Sequence, residues 1–413
     1  MKILWLCNIV MPELSELFGF KKDNFGGWLV GAWHELKKSK DLELAICVPI
    51  KSPERMEDGS FEGYKFYSFL MVSRFSSTTV NDQIERFEEI LSDFQPDVVH
   101  IWGTEYEHSY SMVKACEKLK CLEKVVVNLQ GFVFFLGEKY TFGIEDKYLN
   151  RDVNGITLEQ QKHQFMANSG REIETLSLVK NVIGRTDFDR NIATEINKDI
   201  NYIKIGEILR PQFYESEKWR YEECKKHSIF ISQAGYPIKG LHLILESLAK
   251  LKKIYPDLTV EIGGSPLKED TPYGYYIYSL IRKYDIEGII SFCGLLDACQ
   301  MIDKYLSANV FLSPSILENS SNSICEAMML GVPVVASNTG GTLSMVKDGL
   351  SGYLYSLGNN NAMIEHISKV FNNSETIGRL SECEIKMSKE NNDKEKIVSK
   401  ILNVYIELCN GGE

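Results

Sequence analysis

The chain has 413 residues, which is too long for one ordinary core and predicts about two domains. Its apolar fraction of 44% and charged fraction of 25% are those of a folded globular protein and exclude a wholly disordered chain. No segment has the roughly 18 uninterrupted apolar residues of a membrane span. A formal net charge of −11 argues against nucleic acid as a partner, because phosphate binding needs a basic face.

The apolar start at residues 1–7 is followed at once by Asn8 and soon by Glu13. It shows no small-residue cleavage site, so we interpret it as the first buried strand of a cytoplasmic protein rather than as a secretory signal. Ten cysteines are scattered through the chain without CxxC pairs or histidines at metal-ligand spacing. We expect reduced core thiols and no metal site.

Short apolar runs alternate with amphipathic helical stretches, a pattern that predicts an α/β fold with doubly wound parallel sheets. The strands predicted in the first half span residues 2–8, 42–49, 98–102, 124–130 and 181–184. Those predicted in the second half span residues 227–233, 259–263, 289–293, 310–314 and 333–336. Each half opens with a strand, a glycine-containing loop and an apolar helix, which indicates two Rossmann-like domains.

A break near Gly206 and Pro211 places an N-terminal domain at residues 1–208 and a C-terminal domain at 209–390. Residues 391–413 hold a final helix, predicted over 394–408. The apolar face of this helix does not show which domain it packs against, and packing back on the N-terminal domain is one option. Residues 54–81 and 139–157 are the least regular, and we interpret them as insertion loops.

Two interpretations remain open for the helix that begins near Trp28. Its apolar side chains and the lysines around it fit either a contact with an anionic membrane surface or an ordinary helix with solvated cations at its end. The residues concerned are Lys21, Lys22, Trp28, Leu29, Trp33, Lys37, Lys38 and Lys40.

Glu318 and Glu326 flank a turn of serines and asparagines that follows the predicted strand 310–314. Loops at the carboxyl ends of parallel strands collect ligands. A helix starting at residues 320–323 offers unpaired amides to an anion such as a diphosphate, and Glu326 lies one turn further on, within reach of ribose hydroxyls. Ser323 and Glu326 alone also match a capping box. The Gly340-Gly341 turn and the other features around them favour the ligand site.

Glu318 and Glu326 match the E-x7-E motif of glycosyltransferase family 4, and the chain resembles members that build bacterial surface polysaccharides and exopolysaccharides. The agreement continues through Ala336, Ser337, Gly340, Gly341 and the turns at residues 348–349 and 352–353. The resemblance implies the GT-B fold, in which two Rossmann-like domains face a central cleft. It also implies that Glu318 contacts the donor sugar and that Glu326 holds the ribose of the nucleotide.

Further matches lie in both halves of the chain. Lys239, in the run Pro-Ile-Lys-Gly, is placed like the diphosphate-binding lysine of the family, and residues 24–27 resemble its N-terminal glycine loop. The resemblance implies catalytic roles for Glu318 and Lys239. It implies nucleotide-sugar contacts for Gly26, Gly27, Gln233, Leu295, Asn322, Ser323 and Glu326.

The chain departs from the family pattern at three places. Gln233 stands where an arginine is common, so Lys239 is expected to carry more of the diphosphate charge. Gln130 stands where many members have a histidine. The turn at residues 319–323 replaces a glycine-rich one, in a form typical of the polysaccharide subgroup.

Four polar residues of the first half are candidates for acceptor or donor-sugar contacts: Glu105, His108, Gln130 and Arg185. His100 is interpreted as a packed histidine at a strand end. Thr186 and Asp189 are interpreted as a helix cap.

The resemblance therefore implies a metal-independent, retaining hexosyltransferase without a cofactor. It would move sugar from a UDP- or GDP-linked donor to a hydroxyl of a glycan or lipid-linked acceptor, in capsule or other polysaccharide assembly, in the cytoplasm or at the inner face of the cell membrane. The alternative is a catalytically inactive glycosyltransferase-like partner or glycan-binding subunit, which the glutamine at position 233 supports. The donor sugar, the acceptor and the oligomeric state remain open.

Overall fold

The computed structural model describes residues 1–15, 17–19, 26–72 and 78–411. The chain forms two compact units. Unit 1 contains residues 1–134, 167–208 and 393–413, and unit 2 contains residues 135–166 and 209–392. The chain passes from unit 1 to unit 2 at residues 208–209, and residues 135–166, which were expected in the N-terminal domain, belong to unit 2.

Unit 1 is built on an eight-stranded sheet with the order β3-β4-β2-β1-β5-β6-β7-β8. The pairing is parallel except between β3 and β4, which form an antiparallel hairpin at one edge. The strands are β1 (Lys2–Leu6), β2 (Glu43–Ile50), β3 (Gly59–Phe61), β4 (Tyr64–Leu70), β5 (Val98–Trp102), β6 (Val125–Asn128), β7 (Asn181–Gly184) and β8 (Asn201–Lys204).

Unit 2 is built on a six-stranded parallel sheet with the order β11-β10-β9-β12-β13-β14. Its strands are β9 (Ser228–Ile231), β10 (Thr259–Gly263), β11 (Ile290–Gly294), β12 (Val310–Ser313), β13 (Val334–Ser337) and β14 (Tyr353–Tyr355). The mostly parallel sheet of unit 1 and the parallel sheet of unit 2 confirm the predicted α/β class.

Helices alternate with the strands in both units. In chain order they are α1 (Pro12–Ser15), α2 (Gly27–Leu36), α3 (Val80–Phe94), α4 (Glu107–Lys118), α5 (Val133–Lys139), α6 (Asp146–Leu149), α7 (Leu158–Ala167), α8 (Ser169–Leu178), α9 (Asp187–Ile196), α10 (Pro211–Glu215), α11 (Leu241–Ile254), α12 (Pro272–Tyr284), α13 (Ala298–Ser307), α14 (Asn322–Leu330), α15 (Thr342–Met345), α16 (Asn360–Asn372), α17 (Ser374–Asn391) and α18 (Lys394–Cys409).

The final helix, α18, packs in unit 1. Tyr405 is fully buried, and its hydroxyl accepts a hydrogen bond from Trp5 Nε1 at 3.1 Å and lies 2.7 Å from His100 Nδ1. His100 stacks on Trp102 and is fully buried, which confirms its interpretation as a packed histidine. Burial lowers the pKa of His100 to about 3, so this core histidine is neutral.

Residues 135–166 pack on unit 2 through apolar side chains and one polar contact. Tyr140, Ile144 and Leu158 are buried in the core cluster that also contains the strands of unit 2. His242, at the start of α11, places Nε2 2.8 Å from the carbonyl oxygen of Phe142. Helix α6 lies inside the segment predicted as the second insertion loop.

The interpretation of residues 54–81 as an insertion loop was wrong over much of its length. Strands β3 and β4 form a hairpin whose turn carries Glu62 and Gly63 at positive φ. Strand β4 then pairs with β2 through six residues. Its residues Phe66, Tyr67, Ser68 and Phe69 are buried in succession, and aromatic residues are common in strands.

Helix α2 directs its described apolar residues into the core. Leu29 and Trp33 are 0% and 2% exposed, and Trp33 packs edge-on against Trp5 and Tyr64. These two side chains cannot also insert into a membrane surface, so the membrane interpretation fails for them. Lys21, Lys22 and the side chain of Trp28 lie outside what the structure describes. Among the described residues, no helix combines the length and hydropathy that a bilayer crossing needs.

All ten cysteines are free thiols, as predicted. Cys7 and Cys47 are buried, and burial raises the pKa of both. Cys299 and Cys409 are exposed, so the expectation of core positions does not hold for every cysteine.

Candidate functional site

The pocket of unit 2 forms where the two central strands β9 and β12 end. Their following loops meet closely, because Ile316 N donates to the carbonyl oxygen of Ile238 at 2.8 Å. Gly240 has φ +71°, and a Cβ at this position would lie 2.0 Å from the carbonyl oxygen of Pro314. Only glycine allows this approach. It brings the loop after β9, which carries Lys239 (the lysine loop), against the loop after β12, which carries Glu318.

Lys239 and Glu318 form an ion pair at this meeting point. Lys239 Nζ lies 2.7 Å from Glu318 Oε1, and the two side chains are 18% and 11% exposed. Ser315 Oγ donates to the same carboxylate oxygen at 2.6 Å. Burial disfavours the ammonium charge, but Glu318 and Tyr236 more than offset it and hold the pKa of Lys239 above its usual value.

The turn after β13 fixes Glu318 from the other side. Gly340 has φ +51°, and a Cβ there would lie 2.1 Å from the carbonyl oxygen of Glu318. Gly341 N donates to that same oxygen at 2.8 Å. The Gly340-Gly341 turn is therefore in direct backbone contact with Glu318.

Helix α14 begins at Asn322 with Ser321 as its N-cap, and no side chain caps its first amides. The capping-box alternative for Ser323 and Glu326 was therefore wrong, since Ser323 already lies in the first turn. The carbonyl of Ser323 instead accepts from the buried Tyr305 hydroxyl at 3.0 Å. The start of α14 thus presents uncapped amides, which favour an anion.

These loops and the helix start line an open pocket whose empty space, including open solvent, is about 250 Å³. The residues that line it come from the ends of β9 and β12, from the lysine loop and from the start of α14. They are Ile231, Ser232, Gln233, Lys239, Leu312, Ser313, Pro314, Ser315, Glu318, Ser321 and Ser323. The structure therefore brings together Gln233, Lys239, Glu318 and Ser323 from the predicted set.

Glu326 lies one turn further along α14 and is 6% exposed. Its Oε1 accepts hydrogen bonds from Arg210 Nε at 3.0 Å and Nη2 at 2.7 Å. Burial raises the pKa of Glu326, and the guanidinium opposes that rise. Sequence reasoning missed Arg210, because 116 residues separate it from its partner.

Two other predicted residues of unit 2 lie apart from the lining of the pocket. Leu295 follows β11 and is 57% exposed, next to Gly294 at φ +74°. Asn322 Oδ1 is buried and has no hydrogen-bond partner among the described residues. Nothing in the structure assigns a contact to either side chain.

In unit 1, the glycine loop lies at the start of α2. Gly26 caps the helix with φ 82°, and a Cβ there would lie 2.0 Å from Ile9 Cδ1. Gly27 is the first residue of the helix. The preceding residues Asn24 and Phe25 of the predicted loop lie outside the described residues.

Three of the four sugar-contact candidates meet at the carboxyl ends of β5, β6 and β7. Arg185 Nη2 donates to the Leu129 carbonyl at 3.2 Å and to Gln130 Oε1 at 3.3 Å, and Arg185 also forms a buried ion pair with Glu207. Glu105 extends over Gly103, where a Cβ would lie 2.2 Å from its Oε2. Glu207 was not predicted.

Glu105 is accompanied by a second carboxyl group that sequence reasoning missed. Glu172 is 1% exposed and accepts from Thr104 Oγ1 at 2.8 Å and from Phe134 N at 3.3 Å. Burial raises the pKa of Glu105 to about 7 and that of Glu172 to about 8, and Glu105 adds to the rise at Glu172.

His108 does not join this group. It is 2% exposed and stacks on Tyr106 and packs against Phe69, so its ring belongs to the core. Burial lowers its pKa to about 3. The prediction of a sugar contact at His108 is therefore not supported by its position. Thr186 and Asp189 form a reciprocal capping box at α9, which confirms their interpretation.

Within the described ranges, no three side chains of His, Cys, Asp or Glu are grouped to hold a metal ion.

Part of the sequence matches a known protein family and several curated proteins. Residues 214–387 match the family model described as Glycosyl transferases group 1. D-inositol 3-phosphate glycosyltransferase 2 of Catenulispora acidiphila is 30% identical over 122 residues, which are 29% of each chain. The chain spans between about three tenths and one half of the length of the first curated relatives it matches.

Solved structures match over nearly the whole chain. Sucrose-phosphate synthase from Thermosynechococcus elongatus superposes with a TM-score of 0.74 at 14% identity, covering 99% of both chains. HepE from Anabaena, solved in complex with UDP, superposes with a TM-score of 0.67 at 14% identity, covering 98% of this chain and 100% of its own. Residues 214–387 thus match the glycosyl transferases group 1 family, within a chain that has the GT-B fold.

Proposed function

We propose that this protein is a retaining glycosyltransferase that moves a hexose-type sugar from a UDP- or GDP-linked donor to a hydroxyl of a glycan or lipid-linked acceptor. The observation that carries the proposal is the pocket of unit 2, where the Lys239–Glu318 pair lies beside the uncapped start of α14. The group 1 match over residues 214–387 supports the same chemistry. The HepE structure that holds UDP supports a uridine diphosphate donor.

In this proposal the bond between the anomeric carbon and the diphosphate oxygen breaks as the acceptor oxygen attacks on the same face of the sugar. Negative charge then grows on the departing diphosphate. Lys239 and the first amides of α14 stabilise that charge, and such interactions lower the barrier because they strengthen as the bond breaks. The proton of the acceptor hydroxyl passes to a phosphate oxygen of the leaving group.

Glu318 and Glu326 hold the donor in this scheme and do not act as an acid and nucleophile pair. Glu318 contacts the sugar, and Glu326 contacts the ribose. Each carboxylate already has a cationic partner, which suits a binding role better than a proton-transfer role. The reaction needs no metal ion in this proposal, so a chelator should leave the rate unchanged.

We also place Glu105, Gln130 and Arg185 of unit 1 on the side of the acceptor or donor sugar. They lie at the carboxyl ends of neighbouring parallel strands, where ligands of this fold class bind. A role in bacterial polysaccharide assembly is the part of the proposal that rests on family resemblance alone.

Two substitutions test the proposal with a panel of nucleotide sugars. Glu326→Ala should mainly raise KM for the donor, and Glu318→Ala should mainly depress kcat, each by about tenfold or more. Donor hydrolysis and transfer to oligosaccharides are the measurements. Wild-type rates in both variants would exclude the assigned roles.

The second candidate is a glycosyltransferase-like module that binds a partner or glycan without catalysis. Gln233 favours it, because the glutamine lines the pocket where an arginine would add a phosphate cation. Calorimetry with UDP and GDP separates the two, since an inactive module has no reason to bind either nucleotide.

A further inference from the structure

Arg210 is the first charged residue after the chain returns to unit 2 at residue 209, and it has no role in the family motif. Its guanidinium donates twice to Glu326 Oε1, and its Cζ lies 4.9 Å from the centre of the Phe213 ring. The side chains of the ion pair are 15% and 8% exposed. A pair so far removed from water is screened weakly by solvent and salt.

The backbone around Arg210 is held independently of that pair. Arg210 is the N-cap of α10, and Pro211 occupies the first position of the helix. Tyr214, at the other end of α10, accepts from Leu209 N at 3.1 Å and donates to the Asn392 carbonyl at 2.7 Å. The backbone from which the Arg210 side chain extends is therefore held in place. The two hydrogen bonds from its guanidinium set the orientation of the Glu326 carboxylate.

Both bonds from Arg210 end on Oε1, so Oε2 stays outside the ion pair. Without a cation, a carboxyl group as buried as Glu326 tends to take up a proton. The other described groups around it do not supply positive charge. Tyr305 of α13 interacts with it as a neutral phenol, and α17 meets this helix through Ser388, whose hydroxyl donates to the Cys325 carbonyl.

We propose that Arg210 is a positioning residue for nucleotide binding, which keeps Glu326 ionised and directs its free oxygen toward the ribose hydroxyls of the donor. The inference rests on the proposed function of Glu326. It adds a residue outside the E-x7-E motif on which recognition of the nucleotide depends. It also explains why a carboxylate can stay buried in the first turns of α14.

Calorimetry of UDP and GDP with the full chain tests the inference between about pH 6 and about pH 9. Arg210→Gln should bind the preferred nucleotide about tenfold more weakly than wild type near neutral pH. The difference in nucleotide affinity between Arg210→Gln and wild type should become smaller as the pH rises, because Glu326 of the variant then loses its proton even without the arginine. Arg210→Lys keeps the charge, so its binding should be weakened less and should follow the pH profile of wild type.

Two further variants separate positioning from general damage. Arg220→Gln removes an exposed arginine of the same unit, paired with Glu223, and should leave binding unchanged. Glu326→Gln combined with Arg210→Gln should bind no more weakly than Glu326→Gln alone, because Arg210 acts through that carboxylate.

Equal binding by wild type and Arg210→Gln would overturn the inference and leave the proposed function intact. So would a deficit that is the same at every pH. If wild type binds neither nucleotide, the proposed function itself fails, and the inference fails with it.

Discussion

Glu318→Gln is expected to have opposite effects on binding of the free nucleotide and on turnover. In the structure Lys239 forms an ion pair with Glu318, so a diphosphate has to compete with that carboxylate for the ammonium group. Glutamine has nearly the same shape and can still accept the bond from Ser315, but it carries no charge. UDP should therefore bind more tightly to the variant, while transfer slows because the sugar contact is weakened.

The size of the effect follows from the geometry of the pair. A hydrogen bond to a charged group contributes about 1.5–3 kcal/mol, and the 2.7 Å contact between two mostly buried side chains lies in the stronger range. A neutral glutamine keeps roughly half of that interaction with Lys239. The remainder, about 1.4 kcal/mol, corresponds to about tenfold tighter binding of UDP.

Calorimetry with UDP and steady-state transfer kinetics measure the two effects separately. The matched control is Glu261→Gln, which opens another lysine pair of unit 2 with the same 2.7 Å distance but 30% and 35% exposed side chains. The control should change neither binding nor turnover. Unchanged or weaker UDP binding by Glu318→Gln would refute the idea that Lys239 changes partners.

Four further substitutions, one of them a control, test the residues that support the fold. Gly340→Ala should lower both the melting temperature and kcat, because its Cβ would meet a backbone oxygen at 2.1 Å, whereas Gly349→Ala, with no atom within 4 Å, should cost only the strain of its positive φ, about 1 kcal/mol. Burial raises the pKa of Glu172 to about 8, so the native state binds its proton more tightly and the free energy of unfolding falls as pH rises from about 5 to about 8. Glu172→Gln should remove the part of that fall that Glu172 contributes, on the order of 3 kcal/mol, in unfolding curves at the two pH values, while Glu105 keeps its own contribution. Tyr405→Phe loses two buried hydrogen bonds and should destabilise unit 1 by roughly 2 kcal/mol in thermal unfolding.

The central strands of both sheets could be predicted because they are short apolar runs bounded by turn residues. The edges could not be predicted in the same way. Strand β14 has only three residues, and β8 has intermediate or exposed side chains throughout, so neither gives a strong hydrophobic signal. The destination of residues 135–166 depends on which core their apolar face joins, and periodicity does not encode that choice.

The residues of the site could be predicted where they lie close together in the sequence or match a known motif. Glu318, Lys239 and the helix start were found in this way. Arg210 and Glu172 were not, because each acquires its significance from a partner that folding brings close. A buried carboxylate demands a cation or a proton, and the sequence does not say which one it receives.

The ion pairs of Glu318 and Glu326 are expected to respond differently when a nucleotide binds. Of the described residues that line the pocket, only Lys239 is a cation, so the diphosphate has to compete with Glu318 for it. The Arg210–Glu326 pair is mostly buried and has to remain closed, because opening it would leave a buried carboxylate without a partner. Weakening the first pair should therefore tighten nucleotide binding, and weakening the second should loosen it. Since general damage to the pocket lowers affinity in both cases, only the opposite signs distinguish this arrangement from two ordinary structural salt bridges.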